Sequence, residues 1–346
     1  MLSRPLGSGI LPRALSTAYG TAVRARNAAY DRLGALSARM ALPVISVGSV
    51  HAGGVGKTPV ALMVGRAVQE HGWVVAFLSR GYGRTGEHPV VAEPGENVPW
   101  DAIGDEPALL RSRMPEAWLA VDPDRVHGAR SLLPHLPQHA AFVLDDGFGH
   151  RRLRRDLDIV CLPARPFDDH PFPEGYLREP ISAIGRAGLV CLIGAQGEES
   201  VLQASAQRVR DTIGGKPVLA LVQKPDSWVN LRTGSESSLR PCDKAVVLTG
   251  IARPERFHLM VEHAGIGILA THALPDHHAF TEGDLRRAAS PVGSVILTTE
   301  KDAIRLTSKN NVVDAAEICY LKMKLEFTDP SENPIFTGIV RSVLTE

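Results

Sequence analysis

The chain is poor in aromatic residues, with nine Phe, five Tyr and four Trp among 346 residues, so its core must rely on Val, Leu, Ile and Ala. It carries no excess of either charge, because 38 basic and 38 acidic side chains cancel; no global field draws it to nucleic acid. Cys161, Cys191, Cys242 and Cys319 are its only cysteines and form no C-x-x-C pair, which argues against a disulfide framework or a thiolate metal site. Three of them sit in apolar runs (Val160–Leu162, Val190–Leu192, Ile318–Tyr320) and read as buried thiols in a reducing compartment. No apolar run approaches the roughly 18 residues that span a bilayer. A cleavable apolar signal region is also missing, which argues against secretion. Low-complexity tracts and internal repeats are absent too. What remains is an ordinary globular composition, 44% hydrophobic and 22% charged, long enough for about two domains.

One stretch stands out against this background. An apolar run, Leu42 to Val47, feeds a turn of His51, Ala52, Gly53, Gly54, Val55, Gly56, Lys57 and Thr58, and an apolar-periodic segment begins at Val60. Strand, glycine-rich loop and helix in that order make a phosphate-binding loop. Glycines let backbone N–H groups turn toward phosphate oxygens, and the helix adds its positive end. Lys57 is placed to reach the outer phosphates and Thr58 to offer a hydroxyl to Mg²⁺. His51 stands where the usual G-x-x-x-x-G-K-[ST] pattern has its first Gly.

Beyond the loop, Val60–Glu70 reads as a helix and Trp73–Leu78 as a buried strand. Further strands are expected at Trp118–Val121, Ala141–Leu144, Ile159–Leu162 and Leu189–Ile193, and a second set at Pro217–Val222, Ala245–Thr249, Gly267–Ala270 and Ser294–Thr298. Apolar strands separated by helices predict a mainly parallel sheet covered on both faces. The expected fold class is therefore α/β, P-loop NTPase-like, with a second, smaller α/β domain. The expected divisions are an N-terminal amphipathic region (1–40), a P-loop domain (41–215), a polar linker (216–243) and a C-terminal domain (244–346), with the site in the cleft between lobes.

Several clusters could carry chemistry. The strand Ala141–Leu144 ends in Asp145 and Asp146, and such a carboxylate opposite a phosphate loop can hold Mg²⁺; the alternative is a turn and helix cap. Arg151, Arg152, Arg154 and Arg155 follow, as an anion site or a solvated face. In Gly104-Asp105-Glu106-Pro107, a helix is expected just after the Pro, with carboxylates that cap it or serve as base and metal ligand. Asp276-His277-His278 offers a His oriented by a carboxylate for proton transfer. Ser79-Arg80-Gly81-Tyr82-Gly83-Arg84 suits an anionic ligand approached by backbone. Two functions fit these clusters, a kinase and a GTPase switch. The switch would use Asp146–Gly149 as D-x-x-G and Gln223–Asp226 as a degenerate N-K-x-D.

Before Asp31 the chain has Arg4, Arg13, Arg24 and Arg26 and no acid, with Leu11, Leu15, Ala18, Tyr19, Ala22, Ala29 and Leu33 at roughly helical spacing. Such a helix can lie in the headgroup layer of an anionic membrane, pack on the domain surface, or serve as an organellar transit segment.

The motifs together resemble the tetraacyldisaccharide 4′-kinase family. The family's G-N-x-x-x-G-G-x-G-K-T-P is similar to Gly48–Pro59, with Ser49 for Asn, and the family too lacks the first Gly of the loop. S-R-G-Y-G matches Ser79–Gly83, G-D-E-P matches Gly104–Pro107, and L-D-D-G-F-Q-H-R matches Leu144–Arg151 with Gly149 for Gln. L-R-E-P, G-I-A-x-P, P-D-H-H-x-F and T-E-K-D-A match Leu177–Pro180, Gly250–Pro254, Pro275–Phe280 and Thr299–Ala303. The resemblance implies ATP- and Mg²⁺-dependent phosphorylation of an acylated glucosamine disaccharide 1-phosphate at its 4′-hydroxyl. The product would be the lipid A precursor lipid IVA, made peripherally on the cytoplasmic face of the bacterial inner membrane. It implies Asp105 as base with His277 beside it, Lys57 on phosphate, and Thr58, Asp145, Asp146 and Glu106 on the metal side. Arg80, Tyr82, Arg151 and Arg178 are the substrate candidates. A membrane-resident substrate also favours the interfacial role for the N-terminal helix.

Overall fold

The computed structural model describes residues 5, 7, 9–290, 294–307 and 317–345; Arg4 lies outside them. The order is α1 (Ile10–Arg32), β1 (Val44–Gly48), α2 (Lys57–Glu70), β2 (Val74–Ser79), β3 (Val90–Ala92), α3 (Trp100–Ile103), α4 (Asp105–Arg113), β4 (Trp118–Val121), α5 (Arg125–Leu132), β5 (Ala140–Asp145), β6 (Leu157–Pro163), β7 (Leu189–Ala195) and α6 (Glu199–Ile213). The second half adds β8 (Val218–Asn230), β9 (Glu236–Ser237), β10 (Lys244–Thr249), α7 (Pro254–His263), β11 (Gly267–Ala273), α8 (Glu282–Ala288), β12 (Val295–Thr299), α9 (Glu300–Thr307), β13 (Ile318–Phe327) and α10 (Glu332–Leu344).

The strands form one sheet in the order β11-β10-β12-β13-β8-β7-β6-β1-β5-β2-β4-β3, with β9 beside β8. Every residue of β1 and β5 is buried, because helices cover both faces; this is why these strands read as unbroken apolar runs. Pairing is parallel from β8 through β7, β6, β1, β5 and β2 to β4. It is parallel again from β11 through β10 and β12 to β13. The join between the two halves is antiparallel, β8 against β13.

That join corrects two expectations. The segment expected as a polar linker is largely strand: Val218–Val222 is buried beside β7, and the same strand runs on to Asn230 against β13. Its polar outer half alternates cross-strand ion pairs, Lys224 to Glu326 at 3.0 Å and Asp226 to Lys324 at 3.5 Å, which composition alone makes look like a loop. The C-terminal end does not stay with the second half either. Phe336, Val340 and Leu344 of α10 pack into the core shared with Val60, Val64 and Val68 of α2.

Helix starts also shift. Gly56 (φ 84°) caps α2, so the helix begins at Lys57, ahead of the apolar stripe. The helix expected after Pro107 begins at Asp105 with Gly104 as its cap. Pro107 is the third helical residue, where its missing N–H would be unpaired in any case.

Candidate active site

Parallel register brings the phosphate loop and its carboxylate together. Val47, one residue from the end of β1, stands opposite Asp145, the last residue of β5, and ligands collect at such carboxyl ends of parallel strands. Gly48 permits the approach: a Cβ there would lie 2.5 Å from the Phe148 backbone nitrogen. Thr58 Oγ1 donates to Asp145 Oδ2 at 3.1 Å. Lys57 Nζ donates to the Gly53 carbonyl at 3.1 Å and sits 3.8 Å from Asp146 Oδ1. Ser49 Oγ accepts from the His51 N–H at 3.0 Å, so a short hydroxyl organises the loop where the family pattern has an amide.

Asp145 is 1% exposed, and its Oδ1 is buried with no hydrogen-bond partner among the described residues. Burial, with the charges of Glu106 and Asp146 adding to it, pushes its carboxyl up to about 7. A buried, unpartnered carboxylate oxygen beside a threonine hydroxyl is a donor set for a hard divalent cation. The charge of Glu106 acts on Asp145, so the start of α4 lies near this carboxylate. Asp146, at φ 54°, is engaged differently. Arg178 holds it through two nitrogens at 2.9 and 3.1 Å and also donates to the His51 carbonyl at 3.1 Å. Lys57 and Arg178 outweigh burial there and keep the Asp146 carboxyl below the usual range.

The second cluster joins the two halves. Asp105 Oδ2 lies 2.8 Å from His277 Nδ1 and 3.3 Å from Arg305 Nη2. Gly104 makes this possible, since its φ is 90° and a Cβ would sit 2.6 Å from the Tyr82 carbonyl. The S-R-G-Y-G and G-D-E-P segments are thereby packed backbone to backbone. His277 also has a positive φ, 61°, a conformation costing about 1–2 kcal/mol for a side-chain-bearing residue. Its N–H donates to the Gly250 carbonyl at 3.1 Å. Burial would raise the Asp105 carboxyl, but the His277 hydrogen bond and Arg305 charge outweigh it and hold it below its ordinary value. The Asp105 hydrogen bond in turn raises the His277 imidazole, against burial. Arg113 of α4 pairs with Glu300 of α9 and donates to the Met323 carbonyl, while Lys301 sits 3.9 Å from Glu106.

The remaining candidates separate. Arg80 and Tyr82 line an open concavity of about 470 Å³ with Gly81 and Gly83, and the Tyr82 ring meets His277 edge-on at 5.9 Å. Arg151 is occupied by Asp31 at 2.5 Å and stacks on Tyr30. His51 is buried, and burial lowers its imidazole below the ordinary value. A Cβ at Gly149 would lie 3.7 Å from Glu179 Oε1, an oxygen without a hydrogen-bond partner among the described residues. Gln223–Asp226 lies within β8, in its ladder with β13, and offers no base-reading loop.

Two residues escaped the motif reading. Arg305, 1% exposed, touches Asp105 and donates to the Gly250 and His278 carbonyls at 3.0 and 3.2 Å. Asp302 beside it accepts from the Gly250 N–H at 3.1 Å. The signal was their three-residue spacing on one helix face. Arg125, 5% exposed, is the other. Burial and Arg80 lower its guanidinium to about 10, against the charges of Asp146, Asp145 and Asp122, so a buried cation stands near the carboxylate pair.

Known proteins supply the context for this arrangement. The family model described as tetraacyldisaccharide-1-P 4′-kinase matches residues 9–341. The tetraacyldisaccharide 4′-kinase of Anaeromyxobacter dehalogenans strain 2CP-C is 41% identical over 83% of this chain and 79% of its own length. That of Chlorobaculum parvum is 34% identical over 94% and 92%. The crystal structure of LpxK from Aquifex aeolicus in complex with ATP superposes with a TM-score of 0.76 at 27% identity, covering 96% of this chain and 98% of that one. With a phosphate loop, its facing carboxylate and an Asp–His pair all in place, the chain belongs to the tetraacyldisaccharide-1-phosphate 4′-kinase family.

Proposed function

We propose that the chain transfers the γ-phosphoryl group of ATP to the 4′-hydroxyl of a tetraacylated glucosamine disaccharide 1-phosphate, giving lipid IVA. The observation that carries this reading is the Asp105–His277 contact at 2.8 Å. It sets a buried base at the start of α4, near the carboxylate of the phosphate loop, on which the next residue's charge acts. A switch GTPase has no need of such a pair.

The new bond joins the 4′-oxygen to the γ-phosphorus, the bond from that phosphorus to the β–γ bridging oxygen breaks, and the hydroxyl proton passes to Asp105. Asp105 is held ionised by His277 and Arg305 and is therefore a weak base. That suits phosphoryl transfer through a loose transition state, where the acceptor proton leaves late and positioning dominates. His277 fixes the rotamer of Asp105 and balances its charge. Lys57, released from the Gly53 carbonyl, stabilises charge on the transferring group, as does the backbone of Gly53–Gly56. Thr58 and Asp145, with Asp146 and Glu106, would hold Mg²⁺, and the ion would neutralise phosphate charge when bound. Arg80 and Tyr82 line the concavity beside His277 and would meet the sugar acceptor.

Membrane attachment on the cytoplasmic face of the inner membrane belongs to the same proposal. Among the described residues no helix is long and apolar enough to cross a bilayer. The face of α1 turned away from the protein exposes Ile10, Leu11 and Leu15, at 92%, 67% and 45%. Arg13, Arg24 and Arg26 are exposed on the same helix. Exposed apolar side chains on an arginine-bearing helix fit an anionic lipid surface, which is where an acylated acceptor lies, although Arg13 pairs with Glu174 at 3.2 Å and Arg26 donates to the Gly149 carbonyl at 2.9 Å.

Incubation of the protein with γ-labelled ATP, Mg²⁺ and the disaccharide 1-phosphate in mixed micelles tests the function. Label appearing in a lipid bis-phosphate supports it. Hydrolysis of GTP in preference to ATP, with no lipid product, overturns it.

A further inference from the structure

The inner face of α1 does something its outer face does not explain. An interfacial helix that merely packs on a domain would bury an apolar stripe, yet the residues α1 buries are Ser16, Gly20 and Asn27. Their polar atoms go to one segment, residues 171–179. Ser16 Oγ donates to the Pro171 carbonyl at 2.8 Å, Tyr19 Oη to the Arg178 carbonyl at 2.8 Å, and Asn27 Nδ2 to Glu179 Oε2 at 2.6 Å. The Tyr19 ring also packs edge-on against Phe172 at 5.9 Å.

That segment forms the wall of the phosphate loop. The Ala52 N–H donates to the Tyr176 carbonyl at 2.8 Å and the Arg178 N–H to the Val50 carbonyl at 2.7 Å. The Arg178 side chain then clamps both the His51 carbonyl and Asp146. Glu179, 4% exposed, also accepts from Arg186 at 2.9 Å, and the Arg186 guanidinium lies 4.2 Å above the Phe148 ring, in the turn after Asp146. Every link from α1 to the loop is thus a direct contact. Hydrogen bonds of this kind, made away from water, fix their partners more firmly than exposed ones.

We propose that Tyr19 and Asn27 are positioning residues for the nucleotide site: they hold Arg178 and Glu179 so that Arg178 keeps the phosphate loop and Asp146 in the arrangement that accepts the triphosphate. The helix proposed to carry the lipid-binding stripe therefore braces, on its opposite side, the wall of the ATP site. The inference rests on the chain's use of ATP and not on its membrane attachment. Neither residue touches the nucleotide; both act through the 171–179 segment.

The test is a double-mutant cycle on ATP binding. Tyr19→Phe keeps the ring on Phe172 and removes only the hydroxyl, so it is the mildest variant; Asn27→Ala is its companion. Calorimetric Kd for Mg²⁺-ATP, without lipid, should weaken about tenfold in the combined variant, the effect of losing one to two net hydrogen bonds. KM for ATP should rise in parallel while KM for the lipid acceptor and flotation with anionic vesicles stay at wild-type values. The same two substitutions made in an Arg178→Ala background should have almost no further effect, because the route is already cut. Unchanged ATP affinity in the combined variant overturns the inference. So do effects that simply add to that of Arg178→Ala, or equal losses for ATP and lipid with a lowered unfolding temperature. Tyr19→Phe alone, with a wild-type melting curve, keeps the test decisive if Asn27→Ala misfolds. Failure of the wild-type chain itself to bind ATP would instead overturn the underlying nucleotide reading.

Discussion

Replacing Asp145 with Asn should stabilise the protein while disabling it. Burial, with Glu106 and Asp146 beside it, raises the Asp145 carboxyl from 3.8 to about 7, so folding at neutral pH forces a charge into a site that resists it. A raised folded-state value means stability that is fully present below the unfolded value and lost as pH climbs through the folded one. Each unit is about 1.4 kcal/mol, so the carboxylate costs about 4 kcal/mol at pH 8 but only ~2 kcal/mol at pH 5. Asn keeps an oxygen for Thr58 but adds a buried amide N–H₂, which offsets about 1–3 kcal/mol of the gain. That offset does not depend on pH. The stability difference between variant and wild type, from urea unfolding without Mg²⁺ or nucleotide, should therefore grow in the variant's favour, by about 2–3 kcal/mol, from pH 5 to pH 8. Adding Mg²⁺-ATP at about 100 times its Kd should stabilise the wild type by about 2.7 kcal/mol and leave Asp145→Asn almost unmoved. A difference that stays flat or shrinks with pH would refute the account of this carboxylate.

Three further outcomes follow from the geometry. Arg305 helps hold the Asp105 carboxyl down, so Arg305→Met should move the acid limb of the kcat/KM profile to higher pH; an unmoved limb would detach Arg305 from the base. Gly104→Ala places a Cβ 2.6 Å from the Tyr82 carbonyl at a positive φ, and should cost about 2–3 kcal/mol in chemical unfolding and reduce turnover. Leu11→Gln with Leu15→Gln removes two exposed apolar side chains from α1. At about 1.5 kcal/mol each, vesicle flotation should fall roughly a hundredfold in partition coefficient, and equal flotation would remove the lipid role of that face.

What the sequence made legible was whatever local chemistry demands. A glycine turn between an apolar strand and a helix can do little besides hold phosphate, and Asp145 at a strand end one register step away is its natural counterpart. Motifs scattered over two hundred residues, Asp105 and His277 among them, named the second cluster through family resemblance. Long-range pairing was less legible. The outer half of β8 looked like a linker because its charges pair across to β13 rather than along its own chain. The return of α10 to the first half depends on a core assembled from distant segments. Tyr19 sat within the apolar stripe by spacing, yet its hydroxyl turns inward to Arg178, because a tyrosine at a boundary can serve apolar and polar sides at once. Arg151, which reads as part of an anion site or of a solvated face, pairs with Asp31, and the substrate candidate Arg178 pairs with Asp146; both partners lie far away in sequence.

The central claim is that a base supplied by the first half and a histidine supplied by the second act together on the acceptor hydroxyl. Single-turnover transfer from γ-labelled ATP to the disaccharide 1-phosphate, measured for Asp105→Asn and His277→Ala beside their ATP dissociation constants, tests it most directly. Transfer slowed by about 10²–10⁴-fold in each variant, with ATP affinity held within about threefold, is the predicted result. Transfer within tenfold of wild type in either variant would contradict it.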